Sequence, residues 1–182
     1  MNRYVAFLGS INVGGNRLKM IDLRDALERE DFADLETVAA SGNVLFTHEA
    51  MPSEGLSEKI AWIVAEEFEI DSEVVVLTRD ELAVAIAGNP FADDGEPKRV
   101  HTTFFSEPLG EHQLKALTLD HEGRGKERIA AGDKVLHIDY VDGVGHSKLT
   151  GDFITRRLGI RGTARNIRSM KRILAKMDEL DG

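Results

Sequence analysis

The alternation of strand-forming and helix-forming patterns constrains the fold of this 182-residue chain most strongly. A β-branched and aromatic run predicts a strand at residues 4–8, and apolar residues at helical spacing predict a helix from about residue 20 to residue 30. Strand patterns follow near residues 38–46, then a helix from about residue 53 and a strand at 73–78. This β-α-β-β-α-β order is that of a ferredoxin-like unit, in which two helices cover one face of an antiparallel sheet.

A tight hairpin is predicted in the middle of this unit. Residues 38–40 and 44–46 are short runs of strand-forming residues. Gly42 and Asn43 stand between them, and both residue types favour the left-handed conformations of a two-residue turn. The pattern therefore predicts two strands joined directly at Gly42-Asn43.

The same order of elements recurs in the second half of the chain. After a short helical pattern at residues 79–88, the stretch 93–97 is polar and rich in turn-forming residues, which predicts a domain boundary. Beyond it the patterns predict a strand at 100–105, a helix at 111–117, strands near 126–130 and 135–140, a helix at 149–158 and an extended piece around Thr163. We therefore expect an α+β protein of two ferredoxin-like units with antiparallel sheets, at residues 1–92 and 98–182.

A last helix is predicted at residues 166–180. At 100° per residue, its apolar side chains fall on one face and its basic side chains on the opposite face. The apolar set consists of Ile167, Met170, Ile173, Leu174, Met177 and Leu180. The second unit is thus expected to end in an amphipathic helix with a cationic outer face.

The charge of the chain is distributed unevenly. The formal net charge is −9 at pH 7, yet residues 148–176 hold nine basic side chains and one acidic side chain. A cationic segment on an acidic protein indicates either an anionic partner such as RNA or packing against the protein's own acidic half. Both interpretations stay open at this point. The residues of the nucleic-acid hypothesis are Arg156, Arg157, Arg161, Arg168, Lys171, Arg172 and Lys176.

Composition excludes several classes of site. The chain has no cysteine, which rules out disulfides, thiol nucleophiles and Cys-ligated zinc. Its six histidines lack the spacing of metal-binding motifs, so we expect no metal ion and no cofactor. The apolar runs are far shorter than the roughly 18 residues of a membrane span, and no signal-peptide pattern is present, which favours a cytoplasmic protein. His146 is the one candidate for acid–base chemistry, and no catalytic residue is assigned.

Two glycine-rich loops are candidate anion sites. Residues 9–16 connect the first strand to the first helix, and residues 142–148 join a later strand to a helix. Glycine permits backbone conformations that aim several N–H groups at one anion. The first loop matches neither the P-loop nor the dinucleotide-binding pattern. Each loop also has a structural alternative, as a turn or as a helix cap.

Five motifs, in this order, resemble the bacterial domain-of-unknown-function family 1697. They lie at residues 9–15, 41–46, 89–91, 140–148 and 163–166. The resemblance implies a two-part α+β protein and brings no established activity. The chain departs from the family at Gly9-Ser10, which replaces a common Arg-Gly, at Ala40, which replaces Gln, and at Ile167, which replaces Trp. If that arginine binds an anion in relatives, this chain lacks it.

The motif residues share a chemical character. They are short polar side chains and glycines near strand ends, joined by a lysine and an arginine. This set suits hydrogen bonding to a phosphate or a polar small molecule better than proton transfer. The asparagines have an alternative role, which is to satisfy loop backbone groups and cap helices. The candidate ligand-binding residues are Asn12, Gly14, Gly15, Ser41, Asn43, Gly143, Gly145, Ser147, Lys148, Arg165 and Asn166.

Three functions from different classes follow as hypotheses. The first is a binding module for a phosphorylated or other anionic small molecule. The second is RNA binding through the basic C-terminal surface. The third is an enzyme of unknown reaction that uses the same glycine-rich loops, with His146 or Lys148 assisting. The sequence leaves the ligand, any reaction and the oligomeric state open.

Overall fold

Two four-stranded antiparallel sheets organise the chain, as the sequence predicts. The computed structural model describes residues 1–12, 14–39 and 42–182. Residues 1–83 and 172–182 form one compact unit, and residues 84–171 form the other. None of the helices in the described part of the chain is long and apolar enough to cross a membrane.

The first unit has the expected βαββαβ order. Its sheet has the strand order β2-β3-β1-β4, and every neighbouring pair is antiparallel. This is the strand order of the ferredoxin-like fold. The elements are β1 (Asn2–Leu8), α1 (Met20–Glu28), β2 (Ala33–Thr37), β3 (Asn43–His48), α2 (Ser53–Phe68) and β4 (Val74–Thr78).

Alternation along β1 builds the core of the first unit. Tyr4, Ala6 and Leu8 belong to one buried cluster together with Leu27 of α1 and Ile60 of α2. Successive strand residues point to opposite faces, so these three share the face that the helices cover. Burying a leucine or isoleucine in this way contributes about 1.5–3 kcal/mol.

The predicted hairpin is wrong in its position. Strand β2 ends at Thr37 and β3 already begins at Asn43, while residues 40 and 41 of the predicted hairpin lie outside the described residues. Ala39 has a left-handed φ of 67°, which turns the chain after β2, and the backbone N–H of Val38 donates to the Asn43 carbonyl at 3.1 Å. Strand β2 lies earlier in the chain because Leu35 packs into the core.

The second unit repeats the topology. Its sheet has the order β6-β7-β5-β8, again with antiparallel pairing throughout. The short helix α3 (Arg79–Ala87) precedes it and α6 (Ile167–Asp181) follows it, each with residues in both units. The remaining elements are β5 (Val100–Phe104), α4 (Glu111–His121), β6 (Arg128–Gly132), β7 (Val135–Asp139), α5 (Gly151–Leu158) and β8 (Thr163–Asn166).

The predicted boundary at residues 93–97 lies inside the second unit. The unit limits therefore differ from the predicted domains 1–92 and 98–182. Asp94 accepts hydrogen bonds from Arg128 at 2.8 and 3.1 Å, and Gly95 N–H donates to the Phe91 carbonyl at 2.9 Å. Phe91 itself packs against Val100 of β5. The turn-rich stretch is thus attached to this sheet, because its polar groups find partners there.

Helix α6 confirms the predicted amphipathic pattern. Ile167, Met170, Ile173 and Met177 are all fully buried, with 0% exposure. Basic side chains lie on the opposite, exposed face. The apolar stripe weakens at its end, where Leu180 is 37% exposed.

Candidate ligand-binding loops

The first glycine-rich loop connects β1 to α1 through several left-handed residues. Ser10 has a φ of 59°, and Gly14 and Gly15 have φ values of 57° and 97°. A non-glycine residue with positive φ costs free energy unless its surroundings hold it. Buried Ile11 and Leu18 anchor the two ends of the loop.

Polar side chains hold this loop from within. Ser10 Oγ donates to Glu73 Oε2 at 2.8 Å, and Asn16 Nδ2 donates to the Ser10 carbonyl at 2.8 Å. Asn12 Oδ1 accepts the Leu18 N–H at 3.2 Å, and Ser72 Oγ donates to the Gly9 carbonyl at 2.6 Å. Asn12 therefore has the backbone-satisfying role that was the alternative to ligand contact.

The outer side of the loop is open and cationic. Gly14 and Gly15 are exposed, and a Cβ atom at either position would meet no atom within 4 Å. Arg17 and Lys19 are exposed on either side of buried Leu18. Sequence analysis missed these two cations, although their alternation around an apolar residue was a readable signal. Lys19 is also the N-cap of α1, and its ammonium group has no acceptor with which to cap the helix N–H groups.

Two further predicted ligand-binding residues belong to the first unit. One of them, Asn43, is buried, and the other, Ser41, is not described by the structure. Asn43 is the first residue of β3, is 1% exposed and pairs with Phe7 of β1. Ser41 lies outside the described residues. Asn43 is therefore buried within the sheet and does not lie on the exposed side of the loop.

The second glycine-rich loop follows β7 and is turned by two residues with positive φ. Val141 has a φ of 51°, and Gly143 has φ 98° and ψ 152°, a region open to glycine alone. A Cβ atom at Gly143 or Gly145 would meet no atom within 4 Å, and Lys148 is exposed. The loop thus presents open backbone and one cation to solvent.

Ser147 ties this loop to a buried carboxylate. Its hydroxyl donates to Glu127 Oε1 and accepts the Leu149 N–H at 3.0 Å. Helix α5 is capped separately, because Thr150 Oγ1 accepts the Phe153 N–H at 3.1 Å. The predicted hydrogen-bond donor Ser147 is therefore already engaged, and the negative charge beside it opposes an anion at this hydroxyl.

A histidine completes the polar cluster around Glu127. The His121 Nε2 atom lies 3.6 Å from Glu127 Oε2, and the two side chains are 9% and 7% exposed. Among the described residues, neither His121 ring nitrogen nor Glu127 Oε2 has a hydrogen-bond partner. Sequence analysis missed this cluster, because residues 121, 127 and 147 are brought together only by the packing of α4 beside the sheet.

The electrostatics of the cluster favour an ionised carboxylate. Burial alone would raise the pKa of Glu127, but the Ser147 hydrogen bond, the backbone and His121 outweigh it, and the pKa is lowered. Burial and the Glu127 charge raise the pKa of Tyr140 to about 12. The edge of His101 contacts the Tyr140 ring, with centroids 5.0 Å apart, and burial lowers the pKa of His101. His146, the predicted acid–base candidate, is exposed.

Arg165 and Asn166 lie on the edge strand β8. Arg165 pairs with Thr102 and therefore shares the sheet face of His137, whereas Leu136 and Ile138 face the helices. Burial lowers the pKa of Arg165 to about 10. Asn166 Oδ1 accepts the Ser169 N–H at 2.8 Å and so caps α6.

The predicted residues fall into separate groups. Asn12, Gly14 and Gly15 belong to the first unit, and those at 143–148 and 165–166 to the second. Within the second unit the β7 loop and the end of β8 lie at the same end of the sheet, since Asp139 pairs with Val100 of β5. The Arg165 side chain nevertheless lies on the opposite sheet face from the Ser147 cluster.

The basic segment is partly neutralised. Arg157 donates to Asp120 at 3.1 Å and stacks on Phe153, and Lys176 pairs with Glu36 at 3.3 Å. These two cations are thus engaged by the protein's own groups. The exposed basic residues of the segment are Lys148, Arg156, Arg161, Arg168, Lys171 and Arg172.

The described residues contain no cluster of three or more histidine, aspartate or glutamate side chains that could hold a metal ion. The catalytic hypothesis is likewise without an assigned residue, although the Glu127 cluster brings a buried carboxylate to a serine. Its geometry orients Ser147 and holds the loop, and any further chemistry there stays a hypothesis.

Comparison with known proteins assigns a family. The model of the family described as "Protein of unknown function (DUF1697)" matches residues 1–137, so the chain belongs to this family. No curated protein matches the chain. A solved structure, that of conserved bacterial protein SP0830 from Streptococcus pneumoniae, is similar at 22% sequence identity with a TM-score of 0.74. The match covers 98% of this chain and 99% of that one, which shows a shared fold.

Proposed function

We propose that this family member binds a phosphate-bearing small molecule on its first unit. The proposed site is the outer side of the β1–α1 loop, formed by Gly14, Gly15, Arg17 and Lys19, here called the 14–19 surface. The observation that supports it is that some polar side chains of this loop are hydrogen-bonded within the unit, whereas its glycines and cations are exposed. Ser10, Asn12 and Asn16 form hydrogen bonds within the unit, while Gly14, Gly15, Arg17 and Lys19 are exposed, and Arg17 Nη1 also donates to the Asn16 carbonyl at 2.7 Å.

Preorganisation is the first argument for this surface. The inward hydrogen bonds of Ser10, Asn12 and Asn16 hold the loop before any ligand arrives. A ligand then does not have to order the loop, which lowers the conformational cost of binding. Successive residues with positive φ expose backbone N–H groups in the manner that anion-binding turns require.

Charge is the second argument. Arg17 and Lys19 supply two cations on a protein whose net charge is −9. Arginine offers a planar pair of donors to phosphate and lysine a mobile point charge. Asp22 lies in the first turn of α1 and opposes an anion at the helix N-terminus itself. The ligand is therefore expected beside the glycines and not along the helix axis.

The test is a thermal-shift and calorimetric panel of inorganic phosphate, pyrophosphate, nucleotides and sugar phosphates. A ligand at 100 times its Kd stabilises the folded chain by about 2.7 kcal/mol. We expect Arg17→Ala combined with Lys19→Ala to abolish that stabilisation. The control, Lys98→Ala with Lys126→Ala, removes two exposed cations of the second unit and should leave it intact. Equal loss in both variants, or a flat panel, would refute the proposal.

The second loop stays a separate prediction in the same panel. Gly143, Gly145 and Lys148 offer open backbone and one cation, but Glu127 stands beside Ser147. We expect Lys148→Ala to leave phosphate binding unchanged. A loss confined to Lys148→Ala would move the site to this loop.

RNA binding is the second candidate function, and the exposed cations of α6 favour it. Arg168 and Lys171 both lie on the exposed face of this helix. Replacing both with alanine should weaken RNA binding and reduce the salt slope by about 1–2. Absence of RNA binding by the wild-type chain at low salt would end this hypothesis. With either function we propose a cytoplasmic bacterial protein, in keeping with the absence of cysteine.

A further inference from the structure

Helix α2 exposes the only tryptophan of the chain. Trp62 is 57% exposed, although it lies in the middle of this 16-residue helix. The buried stripe of the helix is formed by other residues, namely Leu56, Ile60, Ile63 and Val64. Trp62 lies on the opposite side of the helix and is not part of the core cluster that these residues join. Its large ring is therefore presented to solvent.

Two glutamates flank this ring along the helix. Glu58 and Glu66 lie four residues before and after Trp62, so each is offset from it by about 40° around the helix and about 6 Å along its axis. Both are exposed, and among the described residues neither carboxylate has a hydrogen-bond or ion-pair partner. We call Glu58, Trp62 and Glu66 the 58–66 surface. It combines one aromatic ring with two negative charges.

The cations next to this surface are engaged elsewhere. Lys59 is the one basic residue of α2, and its Nζ atom lies 4.9 Å from the Phe32 ring centroid. Arg29 pairs with Glu67 at 3.2 Å. No lysine or arginine in the described part of the chain lies over the Trp62 ring. The negative charge of the 58–66 surface is therefore not balanced within the unit.

The second unit shows which group this protein places on a ring flanked by carboxylates. The Arg128 guanidinium lies 4.6 Å from the Phe91 ring centroid and donates to Asp94 at 2.8 Å and to Asp139 at 2.6 Å. The ring attracts the positive charge at its face, while the carboxylates accept hydrogen bonds from the edge of the guanidinium. The 58–66 surface has the same ring-and-carboxylate composition and so has the chemistry to bind a guanidinium.

We propose that the 58–66 surface is a docking site for a protein partner that presents an arginine side chain to the face of Trp62. Charge complementarity identifies the occupant, since two carboxylates border the ring. Arginine fits better than lysine, because its planar guanidinium stacks on an indole while its edge donates to carboxylates such as Glu58 and Glu66. The surface shares no residue with the 14–19 surface, so this proposal is independent of phosphate binding.

A protein segment fits this surface better than a free small cation. Small-molecule sites are concave and enclose most of the ligand, whereas the outer face of a helix is convex. A cation–π contact is weak when exposed and becomes stronger when the surrounding interface removes water. Tryptophan and arginine are accordingly enriched among the residues that contribute most to protein–protein binding. The occupant is thus an arginine held on a protein surface.

Fluorescence of the full chain provides the test, because Trp62 is its only tryptophan. The probe is a helical alanine-based peptide with an arginine at every fourth position, and the matched peptide has glutamine at those positions. We expect a saturable change with the arginine peptide and none with the glutamine peptide. No saturable change with the arginine peptide at low salt would overturn the proposal. Equally tight binding of arginine amide would overturn it as well, because it would indicate a site for a free small cation.

Substitutions separate this surface from the overall charge of −9. In calorimetry, Trp62→Leu should raise the Kd of the arginine peptide about tenfold, and so should Glu58→Gln combined with Glu66→Gln. Trp62→Phe keeps an aromatic face and should retain part of the affinity. The control, Glu107→Gln with Glu122→Gln, removes the same charge at exposed positions of the second unit and should leave the Kd unchanged. An equal loss in the control would show attraction to the acidic protein as a whole and would overturn the proposal.

Discussion

The Ser147 hydroxyl donates a hydrogen bond to the carboxylate of Glu127, and this contact connects the second glycine-rich loop to the residue that precedes β6. The same oxygen accepts the Leu149 N–H at 3.0 Å, so one hydroxyl serves both a buried charge and the backbone that leads into α5. A residue predicted to face a ligand is thereby part of the loop's own framework. The carboxylate also places negative charge beneath a loop that looked, in sequence, like an anion site.

Ser147→Ala should destabilise the protein. Glu127 is 7% exposed and would lose its hydroxyl donor, and an unsatisfied buried polar group costs about 1–3 kcal/mol. Urea unfolding should therefore show a lower midpoint with an unchanged slope. Ser53→Ala is the control, because Ser53 makes the same type of hydrogen bond to Glu81 at an exposed site. Equal effects of the two substitutions would contradict this account of the cluster.

Two glycines of one loop should respond differently to alanine. Gly143 has φ 98° and ψ 152°, where an L-residue costs about 1–3 kcal/mol, although there is space for a Cβ atom. Gly145 has the same open space, and its φ lies outside the positive range. We expect Gly143→Ala to lower the unfolding free energy and Gly145→Ala to leave it within about 0.5 kcal/mol. Thermal unfolding of the two variants measures this difference. A larger loss of stability in Gly145→Ala than in Gly143→Ala would refute the conformational argument.

The protein should lose stability on mild acidification, and His137 should contribute. Its Nδ1 atom lies 2.9 Å from Thr102 Oγ1, and burial lowers its pKa in the folded state. The unfolded chain, with a histidine pKa of about 6.5, then binds the proton more readily, so unfolding free energy falls as pH drops through 6.5 toward the folded pKa. One such group changes stability by at most about 1.4 kcal/mol per pH unit.

The measurement is the pH dependence of unfolding, which separates titration from general destabilisation. His137→Gln should flatten the slope between about pH 7 and pH 5, whatever its effect on stability at neutral pH. An unchanged slope in His137→Gln would show that His137 does not titrate differently on unfolding.

Asp139→Ala should be one of the more damaging polar substitutions in the second unit. Asp139 is 5% exposed, accepts from Arg128, and also accepts the Val141 N–H at 3.0 Å. Its loss leaves a backbone donor without that partner and should cost about 1–3 kcal/mol in unfolding free energy. Asp80→Ala removes a carboxylate that is 90% exposed and should be nearly neutral by comparison in chemical denaturation. Similar values for both would contradict the role given to burial.

Local pattern predicted the elements well where side-chain periodicity carried the signal. The start of helix α2 and both ends of strand β4 were expected within a residue of their observed positions, because the apolar residues recur at helical and strand spacing. Strand β2 was misplaced, since the left-handed turn at Ala39 has no strong local signal. Arg17 and Lys19 were missed beside the glycines, whereas Glu127 and His121 could not be paired from sequence because their contact depends on how α4 packs.

The amino-acid sequence by itself determined the two-fold recurrence of βαββαβ, the apolar stripe of α6 and the glycine-rich turns, because propensity and periodicity act over a few neighbouring residues. Only the tertiary structure decided which polar side chains are hydrogen-bonded within the protein and which are exposed to solvent. Asn12, Ser147 and Asn166 bind backbone or a carboxylate, while Arg17 and Lys19 stay exposed. Hydrogen bonds and burial join residues far apart in the chain, so their assignment requires the packed sheets.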